Sequence, residues 1–243
     1  MSIFEREYYL RTSDFDKYMN LTPTGILDLF QDVAGAHALE LGCGLYDMTK
    51  KGIAWILMGV RYTVLKETSL FDKVKVVTWP LPVRGVRYNR EYLILNEAGD
   101  VLVKGTSTWV IINISDKKII SDPSVYSGIE SFNDVQNFPD KYVRIKPFDG
   151  DDTVSGLSVA RSDIDFNGHA NNVRYAKYIY DALPLEEGDY FKEFQIDYHR
   201  ELLLSQPFSI TYKREDNGYL VTGKTEQEAS FTARAVIEKS PIR

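Results

Sequence analysis

A four-residue phrase, Ser13-Asp14-Phe15-Asp16, returns 149 residues later as Ser162-Asp163-Ile164-Asp165, and each copy runs straight into a helical pattern. After the first copy, Thr22-Pro23 is a cap followed by proline at the first helical position. Ile26, Leu29, Phe30, Val33, His37 and Leu41 then recur at helical spacing until Gly42. After the second copy, Asn171 or Asn172 caps a stretch whose apolar face is Tyr175, Ala176, Ile179 and Leu183, stopped by Pro184. Further along, Val60-Arg61-Tyr62 leading to Leu65 parallels Ile196-Asp197-Tyr198 leading to Glu201. These echoes imply a fold built twice.

Each helix precedes strand-like segments. Lys73 to Trp79, Tyr88 to Asn96, Val101 to Ile114 and Phe208 to Lys213 are rich in Val, Ile, Thr and aromatics. Asn96 to Asp100 and Glu215 to Gly218 read as hairpin loops. A helix must bury its apolar stripe, and a curved antiparallel sheet wrapped around it does so compactly. The expected class is therefore α+β: a domain over residues 1–130, a connector over 131–150 and a second domain over 151–243. Between roughly Ser121 and Asp152 the periodicity is broken by Pro123, Pro139 and Pro147, while Phe132, Phe138 and Tyr142 predict a connector packed on the surface.

The copies diverge where chemistry would sit. Lys17 faces Phe166, Tyr18 faces Asn167, Asn20 faces His169 and Leu65 faces Glu201, so the later half keeps the reactive groups. Asp165-Phe166-Asn167-Gly168-His169 concentrates a carboxylate, an amide and an imidazole in five residues. Their spacing of two would put all three on one side of an extended segment. Asp, Asn and Gly also serve turns and caps, but a cap needs no histidine.

Other chemistries find little support. One cysteine, Cys43, excludes an internal disulfide and a cysteine cluster, and three scattered histidines make a structural zinc site improbable. His37 reads as a core histidine on the apolar face of its helix; His199 alternates with Asp197 and Glu201 along a strand. A net charge of −6 without a long basic stripe argues against nucleic acid. No apolar run is long enough to cross a bilayer. Gly156-Leu157-Ser158-Val159-Ala160 lacks the final glycine of a nucleophile elbow, Gly42-Cys43-Gly44 is no dinucleotide fingerprint, and no phosphate loop occurs.

The segment Asp165-Phe166-Asn167-Gly168-His169-Ala170-Asn171-Asn172 resembles the signature of hotdog-fold thioesterases, most closely the acyl-acyl carrier protein (acyl-ACP) thioesterases. The resemblance covers nearly the whole chain. It extends to Tyr198-His199-Arg200-Glu201, similar to a Tyr-Arg-Arg-Glu segment of the family, and to Leu29-Phe30-Gln31-Asp32-Val33-Ala34 with His37 and Leu41-Gly42. It implies two tandem hotdog domains, each a long helix wrapped by an antiparallel sheet, with the site in the second. Leu202 stands where plant members commonly carry a cysteine, which excludes cysteine catalysis there. The N-terminus shows no signal or transit peptide, so a bacterial-type cytoplasmic enzyme is expected.

The activity so implied is hydrolysis of fatty acyl-ACP to free fatty acid, with catalytic residues Asp165, Asn167, His169 and Glu201 and no cofactor or metal. Either Glu201 or Asp165 would act as general base on water, two carboxylates in one apolar site raising at least one pKa, and an Asp165 anhydride is a variant. His169 and Asn167 would orient the reactants, and His169 would return a proton to sulfur. Backbone amides near Asn171 to Val173 would polarise the carbonyl. The first domain would help line an acyl tunnel. The partner is an acyl carrier protein bearing a phosphopantetheine-linked chain, docked by Arg174, Lys177 and the Arg84, Arg87 and Arg90 cluster, with no nucleic acid or membrane insertion; the enzyme would be a monomer or homodimer. The alternatives are a hotdog acyl-CoA thioesterase, a hydratase or dehydratase of the same fold, and a non-catalytic acyl-binding module.

Overall fold

A computed structural model describes residues 3–122 and 133–240; Pro123 and Phe132 of the connector lie outside the described residues. The chain divides into two compact units, Met1–Thr12 with Asp28–Lys141, and Ser13–Leu27 with Tyr142–Arg243. Helix α1 (Pro23–Glu40) begins in the later unit and continues in the earlier one.

In the first unit β1 (Phe4–Tyr9), β2 (Ile53–Val64), β3 (Lys73–Pro80), β4 (Tyr88–Leu95) and β5 (Val101–Asn113) form antiparallel pairs in the order β1-β3-β4-β5-β2. A short helix, α2 (Leu45–Lys50), precedes β2. In the second unit β6 (Asp152–Ser158), β7 (Asp189–Tyr198), β8 (Pro207–Glu215), β9 (Gly218–Lys224) and β10 (Ala229–Lys239) repeat that order as β6-β8-β9-β10-β7, with α3 (Asn172–Ala182) as its helix. The doubling expected from the repeated phrase is therefore a doubling of topology.

Local chemistry sets the helix ends. Thr22 Oγ1 accepts the Gly25 N–H at 3.1 Å to open α1, with Pro23 first in the helix. At the other end the Cys43 and Gly42 amides close back on Ala38 and Leu39, and Gly42 takes φ 67°. The apolar faces then meet the sheets. Phe30 stacks on Tyr92 of β4 with centroids 4.4 Å apart. In the second unit Tyr175 meets Phe231 edge-on at 5.3 Å, and Tyr178 packs on Phe208 at 4.9 Å. Tyr175, Ala176 and Ile179 of α3 and Ile196, Ile210, Val221 and Phe231 of the strands are all buried. Each buried Val, Ile or Phe side chain contributes about 1.5–3 kcal/mol.

Two expectations change. Glu201 was placed on a strand, but β7 ends at Tyr198, because the His199 and Arg200 amides both turn to the single carbonyl of Ser230 and stop the ladder. The counterpart of Glu201 also moves. In the first unit the Leu65 and Lys66 amides turn in the same way to Leu102, which aligns Leu65 with His199 and Glu67, not Leu65, with Glu201. The following turns agree. Phe71 (φ 66°) donates to Leu10 as Ser205 (φ 60°) donates to Val159, and Asp72 donates to Ser69 as Gln206 donates to Leu203.

Candidate active site

The segment expected to be extended is instead a tight turn. Gly168 N–H donates to the Asp165 carbonyl at 3.0 Å, Asp165 N–H to the His169 carbonyl at 2.9 Å, and Asn167 N–H to Asp165 Oδ1 at 2.8 Å. An aspartate that hydrogen-bonds the amide two residues on favours such a turn, and Gly168 supplies the positive φ of 81°. Asn167 is therefore at the exposed tip and does not alternate with Asp165 and His169 along a strand.

The turn is anchored from below by Asp163, 8% exposed. Its carboxylate accepts from the Ala160 N–H at 2.9 Å and the Tyr178 hydroxyl at 2.7 Å, and its carbonyl accepts the Asn171 N–H at 2.8 Å. Burial, then the hydrogen bond to Asp163, pushes the Tyr178 hydroxyl well above its ordinary pKa, so it remains a donor. Asn171 caps α3 by accepting the Val173 N–H at 2.9 Å. Two of the amides expected to polarise a carbonyl, those of Asn171 and Val173, are thus committed to the protein itself.

The loop after β7 meets this turn. Ala170 N–H donates to the Leu202 carbonyl at 2.8 Å, and His169 bridges Leu203 in antiparallel fashion. The result is a contact of His169 Nε2 with Glu201 Oε2 at 3.1 Å, with the two side chains 28% and 50% exposed. The later half therefore brings His169, Glu201 and the Asp165 turn together. Phe166, within the turn, and Leu203 and Leu204, which follow Glu201 in the loop, are exposed.

The first copy has the same turn without the same groups. Asp16 N–H donates to Asn20 O at 3.0 Å and Met19 N–H to Asp16 O at 3.1 Å, and Asp16 Oδ1 accepts the Tyr18 and Asn20 amides. Met19, at φ 67°, stands where Gly168 stands. Asp16 Oδ2 accepts from the Tyr180 hydroxyl at 3.1 Å.

Three residues that the sequence reading passed over organise this region. Asp163 was visible in the repeated phrase, whose first-copy partner Asp14 is also buried, at 2% exposure. Asp197, fully buried, and Tyr175 carried no such signal. The basic cluster is smaller than expected: Arg90 turns inward, donating to His37 Nδ1 at 2.9 Å and to Thr78 Oγ1 at 3.2 Å, which leaves Arg84 and Arg87 outside. Lys177 is paired with Asp181 one turn along α3. Among the described residues no helix is long and apolar enough to cross a membrane, and no group of three His, Cys, Asp or Glu could hold a metal ion.

Comparison with known proteins addresses both halves. A family described as the acyl-ACP thioesterase N-terminal domain matches residues 1–124, and one described as the acyl-ACP thioesterase C-terminal domain matches residues 148–240. A chloroplastic palmitoyl-acyl carrier protein thioesterase of Gossypium hirsutum is 25% identical over 214 residues, covering 82% of this chain and 52% of that protein. A chloroplastic oleoyl-acyl carrier protein thioesterase of Coriandrum sativum is 24% identical, covering 82% and 59%. The chain thus spans little more than half the length of these plant relatives. In fold it is similar to an acyl-ACP thioesterase from Bacteroides thetaiotaomicron, with TM-score 0.85, 20% identity and 98% of each chain covered. It is also similar to the 12:0-ACP thioesterase of Umbellularia californica, with TM-score 0.88, 20% identity and 99% and 98% coverage. The double hotdog is therefore the fold of this chain.

Proposed function

Because this chain belongs to the acyl-ACP thioesterase family, we propose that it hydrolyses the thioester of a fatty acyl-acyl carrier protein, releasing free fatty acid and terminating fatty acid synthesis in the cytoplasm. The observation that carries the reading is the His169–Glu201 contact at 3.1 Å beside the Asp165 turn. The later domain, residues 151–243, is the catalytic one. The earlier domain, residues 1–130, carries a degenerate copy of the turn's partners.

In this reading Glu201 is the general base, because an Asp165 oxygen is engaged by the Asn167 amide. Glu201 takes a proton from water as the water oxygen attacks the thioester carbon, giving a tetrahedral oxyanion. Asn167, at the turn tip, supplies a side-chain amide to that oxygen, a role that polarised donors perform in acyl transfer. Collapse breaks the carbon–sulfur bond. The proton held between Glu201 and His169 passes through His169 to the departing thiolate, leaving both side chains as they began.

The carrier protein is acidic, so docking needs local positive charge on a protein of net charge −6. Arg84, Arg87 and Arg174 are the groups proposed for it. The test is thiol release from acyl-ACP and matched acyl-CoA across medium and long chains. A higher kcat/KM on acyl-ACP is expected, and a clear preference for acyl-CoA would overturn the choice of substrate.

A further inference from the structure

We infer that Tyr175 is a positioning residue whose hydroxyl sets Glu201 against His169 by holding the Leu202 amide, an inference that rests on the site reading proposed above. Leu202 N–H donates to the Tyr175 hydroxyl oxygen at 2.9 Å, while the Leu202 carbonyl accepts from Ala170 N–H at 2.8 Å. One residue is thus gripped on both sides, by α3 and by the backbone at Ala170 that follows the Asp165 turn. Glu201 precedes it directly, and His169 precedes Ala170. Fixing Leu202 therefore fixes the backbone on which the 3.1 Å contact of Glu201 with His169 is made.

The grip is rigid. Tyr175 is 2% exposed and Leu202 fully buried. The Tyr175 ring is held edge-on between Tyr198, at 5.4 Å, and Phe231, at 5.3 Å. Burying a hydroxyl oxygen costs free energy unless it is hydrogen-bonded, and the Tyr175 oxygen accepts the Leu202 amide. Burial first, with smaller contributions from Glu201 and Asp165, raises its pKa to about 12, so it stays a neutral hydroxyl beside both carboxylates.

The repeat provides a control within the same chain. At the helical position equivalent to Tyr175, 149 residues earlier, α1 carries Ile26, which is fully buried. The helix of this fold can therefore fill that place with hydrocarbon. The hydroxyl occurs in the copy that has His169, and not in the copy that has Asn20.

The test uses the full chain and the acyl-ACP it turns over fastest. Tyr175→Phe removes one oxygen and keeps the ring packing. It is expected to lower kcat about 10- to 100-fold with KM within about two-fold, because the loss is of alignment at the reacting carbon and not of acyl binding. Tyr219→Phe loses a different buried hydroxyl, one that donates to the Pro184 carbonyl, and should keep both constants. The wild-type Leu202 amide is expected to exchange slowly with deuterium. Exchange at the rate of an open loop amide would overturn the inference even if Tyr175→Phe did not fold. Unaltered kcat in folded Tyr175→Phe, beside an inactive His169→Ala, would remove this inference alone; full turnover by His169→Ala would remove the site reading and the inference with it.

Discussion

The backbone N–H of Ile145 donates to the fully buried carboxylate of Asp197 at 2.9 Å, tying the connector to β7 two residues before the loop that leads to Glu201. The Tyr142 hydroxyl and Gln195 Nε2 donate to the same carboxylate, each at 2.9 Å. The first unit repeats the device with another residue type: Asn137 N–H donates to Glu91 at 2.9 Å, and Thr106 Oγ1 donates to it at 2.7 Å. Each sheet thus holds its stretch of connector by a carboxylate facing an incoming amide. Asp197→Ala removes the acceptor of the Ile145 N–H, one of two acceptors of Tyr142 and of Gln195, and the carboxylate 3.6 Å from Arg144 Nε, and should cost about 3–5 kcal/mol in urea unfolding. A loss under about 1 kcal/mol would mean that water substitutes for the carboxylate there.

His199 gives stability a pH dependence. Arg144 donates to its Nδ1 at 3.0 Å, and its Nε2 faces Thr232 Oγ1 at 3.0 Å. Burial first, then the Arg144 charge, holds the imidazole below its ordinary value of 6.5. Between the folded value and 6.5 the unfolded chain binds a proton that the folded chain does not, so stability rises with pH across that window. The contribution is complete above 6.5 and is lost as the pH falls through the window. Urea midpoints measured across it should fall on acidification in the wild type and fall less in His199→Gln. Parallel slopes would show that His199 titrates alike in both states.

Much of this was legible from letter patterns because it depends on period. The helical faces of Ile26 to Leu41 and Tyr175 to Leu183, the strands bounded by Gly and Asp, and the doubling all follow from spacing. What was not legible depends on register and on turns. Pairing Leu65 with Glu201 was a two-residue slip, and a slip of two preserves the inward and outward pattern of a strand, so alternation cannot detect it. The Asp165 segment failed differently: alternation of polar groups also suits a turn in which the side chain of Asp165 satisfies the backbone. Tyr175 was read as part of an apolar face, which it is, while its hydroxyl bonds across to a loop distant in sequence.

Packing at Gly105 yields a prediction about the first unit. A Cβ there would overlap Phe30 Cε2 and lie 3.2 Å from the Arg61 carbonyl, on the side where Phe30 already stacks on Tyr92. Gly105→Ala is expected to destabilise by about 1–3 kcal/mol. Phe30→Leu in the same chain should recover part of that, so the two changes would cost less together than the sum of their separate costs. Strict additivity in thermal unfolding would show that the ring is not what the new methyl meets.

The two aspartate turns separate shape from chemistry. Asp16 and Asp165 occupy equivalent positions, each accepting the amide two residues on from its own side chain, that of Tyr18 at 2.8 Å and that of Asn167 at 2.8 Å. Substituting either by Asn keeps an acceptor oxygen and should cost about 1 kcal/mol or less in stability. Their effects on turnover should differ. Asp16 has Asn20 across its turn, whereas Asp165 has His169, and His169 meets Glu201. Asp165→Asn removes a negative charge from the turn that carries His169, through which the proposed proton transfer runs, and is therefore expected to lower kcat by about 100-fold, while Asp16→Asn leaves kcat within about two-fold. Equal losses of kcat in both variants, at matched folded fractions, would assign Asp165 to the architecture of the turn and leave Glu201 as the carboxylate of the reaction.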